Sequence, residues 1–160
     1  MMKTIWQLTI ILVAGLISCQ QNRVYESHKK DFPNNRWDKQ KVLEFAPEIT
    51  DTTATYRIYL ALRHVYGFQF ETMKVKVTST TPTGKSISKD YVFQVIGQGK
   101  KYISDCAGDI CDLETVIEEN VSFNDPGTYK YTIEHQMPLD QVLNVMEFGL
   151  IIEKHKNMNN

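Results

Sequence analysis

The chain has 160 residues, 42% of them hydrophobic and 23% charged, and its 18 basic and 19 acidic side chains leave a formal charge of −1. That balance excludes the clustered positive charge that nucleic-acid binding or a polybasic membrane patch requires. The length suits one domain with a genuine core. Residues 1–18 read as a lipoprotein signal peptide: Lys3 supplies the positive start, Leu8 to Ile17 is apolar but for Thr9 and Gly15, and small Ser18 precedes Cys19. Ten helical residues reach only about 15 Å, half a bilayer core, so the segment is read as cleaved and not as a span. Cys19 is then the lipidated, acylated N-terminus, with each buried methylene contributing about 0.8 kcal/mol to attachment. Removing residues 1–18 leaves 142 of the 160 and 17 basic against 19 acidic side chains.

Residues 19–40, with Gln20-Gln21-Asn22, His28-Lys29-Lys30 and Pro33-Asn34-Asn35-Arg36, lack apolar periodicity and read as a polar tether. From residue 41 the hydrophobic period is two, the signature of half-buried strands. After a short opening strand at Val42 to Phe45, Tyr56, Ile58, Leu60 and Leu62 alternate with Arg57, Tyr59, Ala61 and Arg63. Met73, Val75 and Val77 share a face, and past Pro82-Thr83-Gly84 so do Ile87, Tyr91, Phe93 and Val95, which predicts a hairpin. Tyr129, Tyr131 and Ile133 form another inward set, and Met146, Phe148, Leu150 and Ile152 the last. Six or more strands without an amphipathic helix predict an all-β antiparallel sandwich, immunoglobulin-like or jelly-roll-like, over 41–156, with a disordered tail at 157–160. Asn124-Asp125-Pro126-Gly127-Thr128-Tyr129 is either a tyrosine corner or a plain turn before a strand.

With Cys19 lipidated, Cys106 and Cys111 form an even pair in an oxidising compartment, read as a short disulfide loop, the other reading being two reduced thiols. Their spacing is too wide for a thioredoxin-type motif, and no second Cys or His pair completes a zinc site. Motifs for a nucleophile elbow, a zincin or a phosphate-binding loop are missing, and His28, His64, His135 and His155 stand apart in sequence, so no catalytic residue, metal or cofactor is expected. Asp105, Asp109, Asp112 and Glu114 cluster around the Cys pair, where a solvated acidic loop is favoured over a calcium site. Asp51-Thr52-Thr53 has two readings, an O-glycosylation acceptor at Thr52 or a turn in which Asp51 caps backbone N–H groups. Trp37, Tyr59 and Tyr66 are candidate interface aromatics, although Trp37 equally suits closing one end of the core.

Taken in order, the lipobox, Asn22-Arg23-Val24-Tyr25, Trp37, Asp51-Thr52-Thr53, Gly108-Asp109-Ile110, Pro126-Gly127-Thr128-Tyr129 and Phe148-Gly149-Leu150 resemble the gliding motility lipoprotein GldH family over nearly the whole mature length. The resemblance implies a periplasm-facing lipoprotein of the inner or outer membrane, the outer preferred. It further implies contacts with other gliding or type IX secretion envelope proteins and no catalytic activity. Cys106 and Cys111 depart from the family pattern, in which this loop usually lacks paired cysteines. A second reading, a lipid-anchored carbohydrate-binding or surface-processing sandwich of a nutrient-uptake system, needs several planar aromatics on one exposed face, and the chain offers few beyond Tyr59 and Tyr66. Neither reading expects nucleic acid, and the preferred one expects no small-molecule substrate.

Overall fold

A computed structural model describes residues 22–155; the segment read as a signal peptide, Cys19 and the residues read as a tail lie outside the described residues. The alternation from Tyr56 to Leu62 builds β5 (Thr55–Val65), whose Tyr56, Ile58, Leu60 and Leu62 are all buried. On one side β5 pairs antiparallel with β13 (Val145–Lys154), Leu60 opposite Leu150, and on the other with β9 (Ile110–Ser122). With β1 (Arg23–Lys29) and β8 (Asp105–Ala107) at the edges, these strands make a five-stranded sheet in the order β1-β13-β5-β9-β8. A second antiparallel sheet runs β3-β11-β6-β7, from β3 (Leu43–Phe45), β11 (Lys130–His135), β6 (Thr72–Thr80) and β7 (Ser86–Gln94). Met73, Val75, Val77 and Ile133 of the second sheet meet Leu60, Leu62, Phe148 and Leu150 of the first in one buried cluster, so the expected sandwich is the observed architecture. Two ribbons close its ends: β4 (Glu48–Ile49) with β10 (Gly127–Thr128), and β2 (Arg36–Asp38) with β12 (Gln141–Leu143).

The expected hairpin is β6-β7, closed by the Thr81 N–H donating to the Lys85 carbonyl at 2.8 Å. Tyr129 makes a tyrosine corner: its Oη donates to the Asp125 carbonyl at 2.9 Å, and its ring packs edge-on against Phe123 at 4.8 Å.

Three details differ from the sequence reading. Residues 23–29, assigned to the tether, are β1, an edge strand in register with β13 from Tyr25–Ile152 to Lys29–Phe148. An edge strand with polar side chains is held by its backbone pairing, so it shows no apolar alternation to find. In β13 a register shift between Val145 and Glu147 turns Val145 inward to full burial and leaves Met146 only half-buried, where alternation had placed Met146 in the core. Ile87 is 60% exposed despite sharing a face with Phe93, because β7 is an edge strand.

The sandwich has two distinct ends. The Lys154 N–H donates to the Asn22 carbonyl at 2.7 Å and the His155 N–H to the Thr55 carbonyl at 2.8 Å, which puts both described termini at the start of β5. The far end of β5 meets the β8-β9 hairpin, Val65 opposite Ile110.

Candidate functional site

The densest gathering of titratable side chains lies on the solvent face of the five-stranded sheet. β5 and β9 send Arg63, Asp112 and Glu114 outward, β13 sends Glu147, and β1 lays Arg23, Glu26 and His28 across them. Arg63 forks onto Asp112 at 2.7 and 3.0 Å and reaches Glu147 at 3.0 Å. Arg23 spans to Glu114 at 2.6 Å and Glu26 at 3.0 Å, and His28 Nε2 lies 3.2 Å from Glu26. Gly149 beneath is required by this lattice: a Cβ there would sit 2.6 Å from His28 Nδ1. The depression among these groups holds about 270 Å³.

This constellation has the wrong electrostatics for proton transfer. The Arg63 hydrogen bond holds Asp112 below its ordinary carboxylate range. Partial burial pushes Glu26 up, but hydrogen bonds from Arg23 and His28 outweigh it and leave Glu26 low as well. A general acid or base at neutral pH needs a carboxyl group pushed upward. Asp112 and Glu26 are instead held low by the guanidinium groups of Arg63 and Arg23, and bidentate geometry on Arg63 favours a rigid lattice.

A serine and a histidine also meet, at the far end of the sandwich. His64 Nε2 is 2.8 Å from Ser104 Oγ and Nδ1 is 3.0 Å from the Val65 carbonyl. The carbonyl accepts only from a protonated Nδ1, so Nε2 accepts the serine proton and both nitrogens are satisfied. His64 is fully buried against Phe68 and Tyr102, with ring centroids at 5.2 and 5.1 Å, and Ser104 is 8% exposed. The pair therefore braces the fold and presents no accessible nucleophile. His135 at the end of β11 is buried too, but neither ring nitrogen has a hydrogen-bond partner. Burial pushes the pKa of both histidines down.

The remaining sequence candidates separate. Trp37 is fully buried, its Nε1 donating to the Lys41 carbonyl at 2.9 Å and its ring 4.7 Å from Phe148 and 5.4 Å from His135. Of the two readings of Trp37, this burial is that of a residue closing one end of the core and leaves no surface for an interface. Tyr59 is half-buried on the outer face and Tyr66 is 61% exposed. Cys106 and Cys111 face each other across the β8-β9 hairpin and are bonded, Sγ to Sγ 2.04 Å, with Cys111 buried and Cys106 exposed. The acidic residues around them do not converge: Asp112 goes to Arg63, Glu114 to Arg23, and Asp109 sits in the hairpin turn. Among the described residues no group of three or more His, Cys, Asp or Glu is placed to share a metal ion. Asp51 caps a turn, its Oδ1 accepting the Thr53 N–H at 2.9 Å and the Thr53 hydroxyl at 2.7 Å while Lys154 binds Oδ2 at 2.5 Å; Thr52 beside it is half-buried.

The lattice of Arg23, His28 and Glu147 was not foreseen from sequence. Its one visible signal was the charged outward Arg63 on β5, which the register sets opposite Asp112 on β9.

Among the motifs that carried the resemblance, Arg23, Trp37, Asp51, Tyr129 and Gly149 all hold structural positions, and the GldH lipoprotein family profile matches residues 23–152. The chain belongs to the GldH lipoprotein family. A gliding motility lipoprotein GldH homolog of Christiangramia forsetii is 24% identical over 156 residues, covering 93% of each chain. The gliding motility lipoprotein GldH of Flavobacterium johnsoniae is 25% identical over 127 residues, 78% of this chain and 77% of that one. Among solved structures, the infectious bursal disease virus VP2 subviral particle covers 84% of this GldH family member and 33% of its own chain at 11% identity; its TM-score of 0.39 carries no argument.

Proposed function

We propose that this GldH family lipoprotein is a non-catalytic, lipid-anchored part of the envelope machinery for gliding movement and the type IX secretion coupled to it. Cys19 carries the lipid, the domain faces the periplasm, the outer membrane is its site, and the protein works by contact with other envelope proteins. Family membership over residues 23–152 is the observation that carries this reading. The electrostatics of the outer face support it, since the best-assembled titratable groups are locked in ion pairs and the Ser104–His64 pair is closed from solvent. Deleting the gene should abolish colony spreading or reduce secreted protein, and the full chain supplied in trans should restore both. Unchanged spreading and secretion in the deletion strain would refute the role.

A further inference from the structure

We propose that β7, the free edge of the second sheet, takes an extended segment of another envelope protein as an added strand whose alternate side chains, uncharged and apolar, enter the cleft between the two sheets. The inference rests on the contact role proposed above and names where that contact is made and in what form.

The register shows which backbone groups β7 leaves open. Its pairing with β6 runs without a shift from Thr72–Gln94 to Thr80–Ser86. Just past the two ends, the Thr81 N–H donates to the Lys85 carbonyl and the Val95 N–H to the Glu71 carbonyl, both at 2.8 Å. Bonded and unbonded residues alternate in an antiparallel pair, so Ile87, Lys89, Tyr91 and Phe93 turn their N–H and C=O groups to β6, while Ser86, Ser88, Asp90 and Val92 turn theirs outward. Among the described residues no backbone hydrogen bond from another element reaches those outward groups. The hydroxyls of Thr78 and Ser88 meet at 2.7 Å and those of Thr80 and Ser86 at 2.8 Å, which fixes the edge in advance.

Short strands, bulges, prolines and charges are what stop a sheet edge from recruiting another strand. The other edges have them. β3 and β8 are three residues each, the part of β9 beyond β8 is broken by two register shifts against β5, and β1 has a shift at Arg23–Tyr25 and the charges of Arg23, Glu26 and Lys29. β7 runs nine residues, about 30 Å, without proline or bulge. Its Lys89 turns inward, but Glu118 of β9 holds that ammonium at 2.6 Å and also accepts the Tyr91 hydroxyl. An added strand therefore leaves Lys89 with its partner.

The cleft selects the side chains. Ile87, on the inward face with Tyr91 but 60% exposed, lines a cleft of about 480 Å³ between the sheets together with Val77, Val121 and Phe123. The charges on its walls balance, Lys85 and Lys89 against Glu118 and Asp125, so it favours neither cation nor anion. A strand laid along β7 points every second side chain into this cleft. In such additions main-chain hydrogen bonds give affinity and pockets for alternate side chains give specificity. A second copy fits less well, because pairing two β7 strands over their whole length about a two-fold axis sets Asp90 against Asp90.

The test places a photoreactive benzophenone amino acid at Asp90 or, beside β3 at the opposite edge of the same sheet, at Val42 in the full-length lipoprotein within living cells. The expected result is a discrete adduct from position 90 to a different envelope protein, its crosslinked peptide bearing apolar residues at alternate positions. Ser88→Pro removes an outward N–H and keeps the β6 ladder, so it should cut the yield ~10-fold while circular dichroism shows an unchanged fold. A synthetic copy of the crosslinked peptide, added to the purified wild-type lipoprotein, should slow amide hydrogen exchange at Ser88, Asp90 and Val92 ~10-fold, and this measurement decides if Ser88→Pro does not fold. An adduct to lipid or to a second copy, an adduct from position 42 alone, no adduct, a peptide without apolar alternation, a folded Ser88→Pro variant with full yield, or unchanged exchange at those amides would each overturn the proposal. An adduct from position 42 alone would leave the contact role standing and remove only this edge. A deletion strain that spreads and secretes normally would remove the contact role itself.

Discussion

With its indole fully buried, Nε1 held by the Lys41 carbonyl and rings of Phe32, Phe148 and His135 around it, Trp37 is a packing residue. Trp37→Ala should lower unfolding stability by about 3–5 kcal/mol in urea titrations, the range for emptying a large aromatic site. Tyr129→Phe removes only the corner hydrogen bond to Asp125 and should cost about 1 kcal/mol. The buried histidines give a pH dependence whose sign is fixed. His64 and His135 both have folded pKa values below 6.5, so the unfolded chain binds protons first as pH falls. Above 6.5 both are neutral in either state and contribute no slope. Stability should therefore drop as pH falls through about 6.5 toward each folded pKa. The carboxylates lowered in the fold, Asp51, Asp112 and Glu26, act in a separate window, near and below their unfolded values of 3.8 for the aspartates and 4.5 for the glutamate. Urea midpoints at about pH 7.5 and 5.5 measure the histidine part, and His135→Leu should flatten it.

Among the strands, β1 and the β8-β9 hairpin each add something that the hydrophobic pattern alone does not reveal. Truncation to Lys30 removes the strand that pairs with Ile151 and Ile152 and carries Arg23 and His28 across the sheet. It should destabilise the domain on the order of 3 kcal/mol by thermal or urea unfolding, whereas loss of a mere tether would change nothing. Replacing Cys106 and Cys111 together by Ser should cost about 2 kcal/mol, the scale for a short closed loop, and thiol labelling of the native protein without reductant should fail at both positions. The strands with a clean period of two, such as Met73 to Val77 and Tyr129 to Ile133, were legible because one face meets the core and the other meets water. β1 was not, because an edge strand held by backbone hydrogen bonds needs no apolar face. The inward turn of Val145 was hidden by a bulge, which resets the alternation without leaving a mark in composition. Trp37 could be read as core or contact because sequence gives residue type and not depth. The ion-pair lattice depends on register between strands far apart in sequence, Arg23 with Glu114 and Arg63 with Glu147, which no local pattern encodes.

For the molecule as a whole, the contact role proposed above makes the braced sandwich a post whose output is contact area. Losing one surface charge from such a post shifts stability by less than about 0.5 kcal/mol, whereas removing an aromatic at the centre of an interface costs 2 kcal/mol or more of binding. The most direct test complements a deletion strain with full-length variants of the outer-face lattice, Glu26→Gln, His28→Ala, Asp112→Asn, Glu114→Gln and Glu147→Gln, alongside Tyr66→Ala. Membrane abundance and circular dichroism select the folded variants, and colony spreading with secreted protein is scored. The lattice variants should retain spreading and secretion while Tyr66→Ala lowers both; a lattice variant that is folded, abundant and inactive beside a fully active Tyr66→Ala would contradict the contact role and point to chemistry on the outer face.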